Sequence, residues 1–319
     1  MCGRYASARK SLELLEEFRV ERDRVSEPLQ ADYNVAPTKR VYAVLSRASR
    51  PGDDQSPGDP GPTDSDARVA GSEARVADSA AHGHKDASAP AAQRELRVVR
   101  WGLVPSWAKD RSIGSRMINA RAETVHSKPA FRRAFARRRC LLPADGYYEW
   151  QQPGEVGGIK QPYFITRGDG GPLAFAGLYE LWRDPALPAD DEFSWLWTAT
   201  IITTSAPDEL GHIHDRMPMV IQPDNWADWL DPAIGETAEL MPLLVPAAAQ
   251  GLISYPVSTS VNSVRNNGPQ LIERVEPGDA AQPAQAGGDL DFGTKPSRPS
   301  RSRGAASGEG AGSGTGKRL

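Results

Sequence analysis

From Ser46 to Gln93 the chain is made mostly of Gly, Pro, Asp, Ser and Ala, with almost no aromatic or large aliphatic residue. Such a stretch cannot bury enough apolar surface to offset chain entropy, so it is expected to be a disordered insertion. It carries a short echo, ARVA at Ala67–Ala70 and Ala74–Ala77. Two copies of four residues make no repeat architecture. A second stretch, from about Pro277 to Leu319, ends in Gly/Ser-rich sequence with Lys295, Arg298, Arg301, Arg303, Lys317 and Arg318. We expect a solvated, disordered tail there, with weak attraction to DNA as the alternative. What remains, about 230 residues between 1 and 276, is enough for one sizeable core. The folded part therefore reads as one domain interrupted at about 46–93.

Within it, strand signals outnumber helical ones. β-rich runs occupy Val41–Leu45, Leu96–Val104, Tyr163–Thr166, Leu173–Leu181 and Trp195–Thr204. Helical spacing places Leu12, Leu15 and Phe18 on one face of Ser11–Arg19, and Lys128–Arg138 reads as a basic amphipathic helix. Asp224 is a candidate cap for a short helix through Trp229, with Pro223 just outside. The expected class is α+β: a curved, largely antiparallel sheet system with few flanking helices. No strand–glycine turn–helix unit supports a Rossmann or P-loop site.

Two cysteines, Cys2 and Cys140, are too few for a disulfide framework and lack zinc-site spacing, so we expect neither metal nor cofactor. They suit a reducing compartment. A net charge of −3 advertises no polyanion globally, and any basic surface must be local. The start, MCGRYASARK, has no apolar signal region, and no run approaches ~20 apolar residues. A cytoplasmic protein without a membrane span is expected. Cys140, inside the apolar run CLLP, reads as a small buried hydrophobe.

Cys2 carries the chemistry. Initiator methionine is generally removed when the second residue is small. Processing would leave an α-amine, with a reference pKa of about 8, beside a thiol of about 8.5. Such an aminothiol meets an aldehyde by Schiff-base formation, after which sulfur closes a thiazolidine ring. An internal cysteine cannot do this, because its nitrogen is an amide.

Seven blocks give that cysteine a context. They are MCGRY (Met1–Tyr5), YNVAPT (Tyr33–Thr38), WGLVPSWAKD (Trp101–Asp110), INARAET (Ile118–Thr124), CLLPADGYYEW (Cys140–Trp150), IHDRMPMVI (Ile213–Ile221) and VSTSVNSVRNNGPQLIERV (Val257–Val275). In this order they resemble the SRAP family, the SOS-response-associated peptidases or abasic-site processing proteins. The resemblance implies a barrel-like fold and covalent capture of abasic sites in single-stranded DNA by a thiazolidine at processed Cys2. It also implies Asn119, Glu149 and His214 as catalytic partners.

Each of these has a physical task. His214 can move protons near neutrality during sugar ring opening. Glu149, between aromatic residues, is expected to be desolvated and raised into a proton-shuttling range. Asn119 can orient the amine without competing for a proton. His212 is the decoy, separated from His214 only by the HDRMP context.

DNA contacts are expected from Arg4, Arg121 and Arg216 as phosphate partners and from Trp101, Trp107 and Trp150 as stacking or wedge residues. Asn34 and Pro37 match positions lining the family's DNA-facing pocket. The resemblance further allows lyase activity and a peptidase activity read as self-removal of residues ahead of Cys2. A monomer, associated with the nucleoid when DNA-bound, is expected. Two departures bear on the DNA channel: the long insertion, and the spacer AKDRSIGSRMI between Trp107 and Asn119. The rival readings are an N-terminal-nucleophile amidohydrolase of glutaminase type, which also opens Met-Cys-Gly, and a passive single-strand binder.

Overall fold

Runs of alternating inward and outward side chains dictate the architecture. In the computed structural model, residues 2–48, 92–152, 160–188, 191, 194–244 and 251–276 are described. Thirteen strands form among them: β1 Tyr5–Ser7, β2 Arg22–Asp23, β3 Asp32–Val35, β4 Arg40–Ala48, β5 Ala92–Trp101, β6 Asn119–Arg121, β7 Arg139–Ala144, β8 Gly146–Gln151, β9 Gln161–Arg167, β10 Leu173–Arg183, β11 Trp195–Ser205, β12 Arg216–Pro218 and β13 Leu252–Pro256. One sheet has the order β13-β9-β8-β1-β3, and the other runs β12-β11-β10-β7-β4-β5-β2.

The second sheet closes on itself. β5 pairs back to β11 in parallel, with Thr198 opposite Arg100 and Ala199 opposite Trp101. Strands β11, β10, β7, β4 and β5 thereby form a five-stranded barrel. One face of these strands carries Ala43, Leu142, Phe175, Tyr179 and Ile201. The other carries Val44, Leu141, Ala176, Leu178 and Ile202, packed with Leu14, Phe18, Phe135, Trp226 and Trp229 from the helices. So narrow a barrel has room only for side chains, so the helix-covered face is the outside. The first sheet lies over one mouth. Tyr5 sits edge-on to Trp101 (5.2 Å) and Phe175 (5.7 Å), and Tyr147 edge-on to Phe175 (6.1 Å).

Arg139, almost fully buried, ties two helices to the wall. Its guanidinium donates to the carbonyls of Phe135, Ala136, Trp229, Asp231 and Ile234, most of them at or just beyond the C-terminal ends of the helices Arg132–Arg137 and Trp226–Leu230. These carbonyls lack intrahelical donors, and a cation suits the negative end of a helix. Burial lowers its pKa to about 10.

Several boundaries differ from the sequence expectation. β5 stops at Trp101 instead of Val104, because Gly102 turns at φ +121°. Ser46–Ala48 and Ala92–Gln93, assigned to the insertion, are paired strand, with Ala48 opposite Ala92. The rest of the insertion, 49–91, and the tail from 277 lie outside the described residues. The first helix is Ser11–Glu17 and buries Leu14, with Phe18 just past its end, leaving Leu12 73% exposed. The basic helix shortens to Arg132–Arg137, preceded by turns that include Pro129. Asp224 caps nothing: it lies inside the 3-10 turn Pro223–Asn225 that leads into Trp226–Leu230.

A side chain at Gly102 would be strained by its φ, and its Cβ would stand 2.5 Å from the Gly114 carbonyl oxygen. Gly102→Ala should cost about 2–3 kcal/mol in guanidinium unfolding. Gly211→Ala, whose Cβ meets nothing within 4 Å, should stay within about 0.5 kcal/mol.

Candidate active site

Cys2 precedes β1 and is fully buried in the cluster at the barrel mouth. Its backbone carbonyl accepts a 2.7 Å hydrogen bond from Asn119 Nδ2. Asn119 opens β6, which pairs in parallel with β11 at Ile201. Its Oδ1 is buried with no hydrogen-bond partner among the described residues. One end of this amide therefore holds the Cys2 backbone, and the other is a buried acceptor.

Glu149 lies on β8. Period two puts it on the face of Tyr147, toward the mouth, while Tyr148 packs on the opposite face with Phe164, Val257 and Leu271. Glu149 and His214 line one small cleft with Tyr147, Ile165, Ile213 and Met217. The expected desolvation is thus present, but it comes from these residues and not from Tyr148 or Trp150. Burial pushes the Glu149 carboxyl up to about 7, against the lowering effect of the positive amino terminus. The same burial, with the charge of Glu149, pushes the Cys2 thiol up.

His214 precedes β12, whose Arg216 pairs with Ser205 of β11. Its Nδ1 accepts the backbone N–H of Arg216 at 3.0 Å. A neutral imidazole in that position carries its proton on Nε2. Burial and then the amino terminus lower its pKa. The four residues proposed from sequence therefore converge from four separate segments, the leads into β1 and β12 and the strands β6 and β8. His212 is exposed, its ring edge-on to Tyr163 at 6.4 Å, and does not line the cleft. Among the described residues no three His, Cys, Asp or Glu side chains gather to hold a metal ion.

The profile of the SOS response associated peptidases (SRAP) matches residues 1–264. This chain belongs to that family. The abasic site processing protein YoqW of Bacillus subtilis is 33% identical over 273 residues, covering 86% of this chain and 99% of the relative. The abasic site processing protein HMCES of Gallus gallus is 36% identical over 218 residues, covering 61% of this chain and 62% of that one. A crystal structure of a Bacteroides thetaiotaomicron protein superposes with a TM-score of 0.62 at 24% identity, over 86% of this chain and 100% of that one. That likeness shows the fold, a strand-rich SRAP barrel.

In this SRAP chain the residues expected to face DNA divide into two groups. Trp107 is 60% exposed and Arg121 is exposed, while Pro37 is partly exposed. The others are engaged by the protein's own groups, Trp101 and Asn34 buried and Arg4, Trp150 and Arg216 half-buried. Trp101 is fully buried, its indole N–H donating to the Ile118 carbonyl at 2.9 Å, so it offers no stacking surface. Asn34 is also fully buried, and its Nδ2 lies within hydrogen-bond reach of the carbonyls of Val261, Ser263 and Asn266. Arg4 Nη1 donates to Asn34 Oδ1 (2.6 Å) and to the Val261 carbonyl (2.9 Å). Trp150 donates to Asn262 Oδ1 at 2.7 Å under the Arg4 guanidinium. Arg216 grips Glu123 through both Nη atoms and reaches the Thr203 carbonyl.

This network exposes a role that the sequence reading missed. The block from Val257 to Val275 is a strap that pins the N-terminal strand pair from which Cys2 hangs. Its asparagines were the available signal, since side-chain amides satisfy irregular backbone.

A carboxyl raised by burial costs stability only when ionised. The protein is relieved of that cost below the ordinary carboxylate range, near 4.5, and bears it fully above about 7. Glu149→Gln should therefore be more stable than the parent at pH 8, by about 2–3 kcal/mol, with the gap closing by pH 5. Thermal and denaturant melts at the two pH values measure this.

Proposed function

We propose that this protein processes abasic sites in single-stranded DNA by covalent capture through Cys2 after loss of Met1. The observation that carries the reading is the placement of Glu149 and His214 in one cleft beside a cysteine whose backbone is fixed by Asn119. The relatives named abasic site processing proteins agree with it.

The chemistry follows from the groups present. The freed α-amine donates an N–H to Asn119 Oδ1, which aims its lone pair at the open-chain sugar aldehyde. Addition gives a carbinolamine. Protonated Glu149 gives its proton to the departing hydroxyl, and water leaves an iminium. The carboxylate then takes the thiol proton as sulfur adds to the iminium carbon, closing the thiazolidine and restoring the acid. A carboxyl near 7 suits both halves, because each form is well populated at neutral pH. Ring closure consumes the imine from which β-elimination would proceed, so crosslinking and strand scission are competing exits. Exposed Trp107 and Arg121 are the groups best placed to meet base and phosphate. An abasic nucleotide enters cheaply, having no base to unstack.

Intact mass after mixing with an abasic oligonucleotide tests this. The expected adduct contains one protein lacking Met1 and one oligonucleotide, less one water, and survives denaturant. Cys2→Ala should give none; an equally stable adduct from that variant would sink the proposal. Release of ammonia from glutamine would favour the amidohydrolase instead. Glu149→Gln and His214→Ala should slow adduct formation by about 10²-fold while oligonucleotide affinity changes little. Unchanged rates would remove both from the mechanism.

A further inference from the structure

We propose that Asp215 is a positioning residue for His214, holding the imidazolium through Nδ1 so that Nε2 remains a proton donor toward the cleft. This rests on the abasic-site reading of that cleft and assigns His214 the acid's part in sugar ring opening.

The geometry gives Nδ1 two partners that serve different charge states. The Arg216 backbone N–H lies 3.0 Å away, and its place is fixed by the pairing of β12 with β11. The Asp215 Oδ1 lies 2.9 Å away on the same nitrogen. A backbone N–H can only donate and a carboxylate can only accept, so one nitrogen cannot satisfy both at once. The neutral ring takes the Arg216 N–H and keeps its proton on Nε2. The protonated ring turns to Asp215 and donates from Nδ1. In both resting states Nε2 bears hydrogen, on a ring that lines the cleft. The Asp215 side chain is 86% exposed, so it has ready exchange with solvent, while His214 is at 28%.

The proton balance of ring opening then closes. Imidazolium Nε2 gives its proton to the ring oxygen as the bond from the anomeric carbon breaks. The anomeric hydroxyl loses its proton to the Glu149 carboxylate and becomes the aldehyde oxygen. His214 is left transiently as the Nδ1–H form, hydrogen-bonded to Asp215, and proton exchange with solvent at that exposed carboxylate returns the ring to its resting Nε2–H tautomer. Other charges bear on the ring from each side. Lys160 and the amino terminus disfavour the added proton and Asp215 favours it. Glu149 faces it across the cleft, and Arg216 is neutralised by Glu123.

The test is titration of His214 by long-range ¹H–¹⁵N NMR on the full chain, for parent, Asp215→Asn and Asp215→Glu. The neutral parent should show the Nε2–H tautomer. Asp215→Asn should lower the midpoint by roughly 0.5–1 pH unit, and Asp215→Glu should restore most of it. The acid-dependent limb of the adduct-formation rate should move by the same amount in the same variant. An unchanged His214 midpoint, or a neutral ring protonated on Nδ1, overturns the proposal. If the midpoint shifts but no variant or parent forms an adduct, the coupling of His214 to Asp215 stands and the abasic-site reading fails.

Discussion

The seam where the barrel closes is the constraint on which the mouth depends. β11 offers one edge to two parallel partners in turn, first β5 at Thr198–Ala199 and then β6 at Ile201–Thr203. Between them the chain leaves the wall at Gly102 and returns at Ile118. Gly102 N–H donates to the Ala199 carbonyl and Ile201 N–H to the Ile118 carbonyl, so the excursion begins and ends in ladder hydrogen bonds. Its neck is drawn in by the close approach of Gly102 to Gly114, where neither could carry a Cβ unmoved. The excursion carries exposed Trp107 and leads into Asn119. A closed sheet leaves no free edge at the seam to slip, so Asn119 keeps its register against the cysteine it holds.

That rigidity lets burial do the electrostatic tuning. Cys2, Glu149 and His214 are each moved toward neutrality by loss of water, the thiol and carboxyl upward and the imidazole downward. A neutral cluster is cheap to hold at rest and can still move protons when a carbonyl arrives. A thiol raised this way is a poor free nucleophile. That matches a reaction in which sulfur acts second, on an iminium, after the amine has made the carbon electrophilic. A displaced carboxylate pKa in a cleft is also the usual mark of a functional group that lowers stability for the sake of chemistry.

Much of this was legible in the chain. The long strands β10 and β11 were bounded within about two residues, because apolar alternation and turn residues coincide there. Cys2, Asn119, Glu149 and His214 were legible only through their blocks; nothing in their spacing brings positions 2, 119, 149 and 214 together, since closure of the sheet does that. Short strands such as β1, β3 and β12 hold three or four residues, too few for periodicity to register. Trp101 and Asn34 misled for one reason. A block shared across a family marks residues that build a pocket as readily as those that touch its ligand. Only burial separates the two, and burial is a property of the fold.

The insertion bears on the same question of what may vary. It joins β4 to β5 as an overlong hairpin, rooted where Ala48 pairs with Ala92. The register places that root at one end of both strands and the Arg40–Arg100 pair, beside Trp101 and the mouth, at the other. Lengthening such a connection costs only about 0.6 kcal/mol per doubling, provided its roots stay paired. They do stay paired, through nine residues of each strand. The paired root therefore lies at the far end of both strands from the Arg40–Arg100 pair. The spacer after Trp107 is different, for it is the excursion itself and hangs from both sides of the seam. Asp110 caps its 3-10 turn by accepting the Ser112 N–H at 2.6 Å, which shortens the path back to Asn119. Of the two segments, this is the one that ends beside Asn119 and so beside the residue holding the Cys2 backbone.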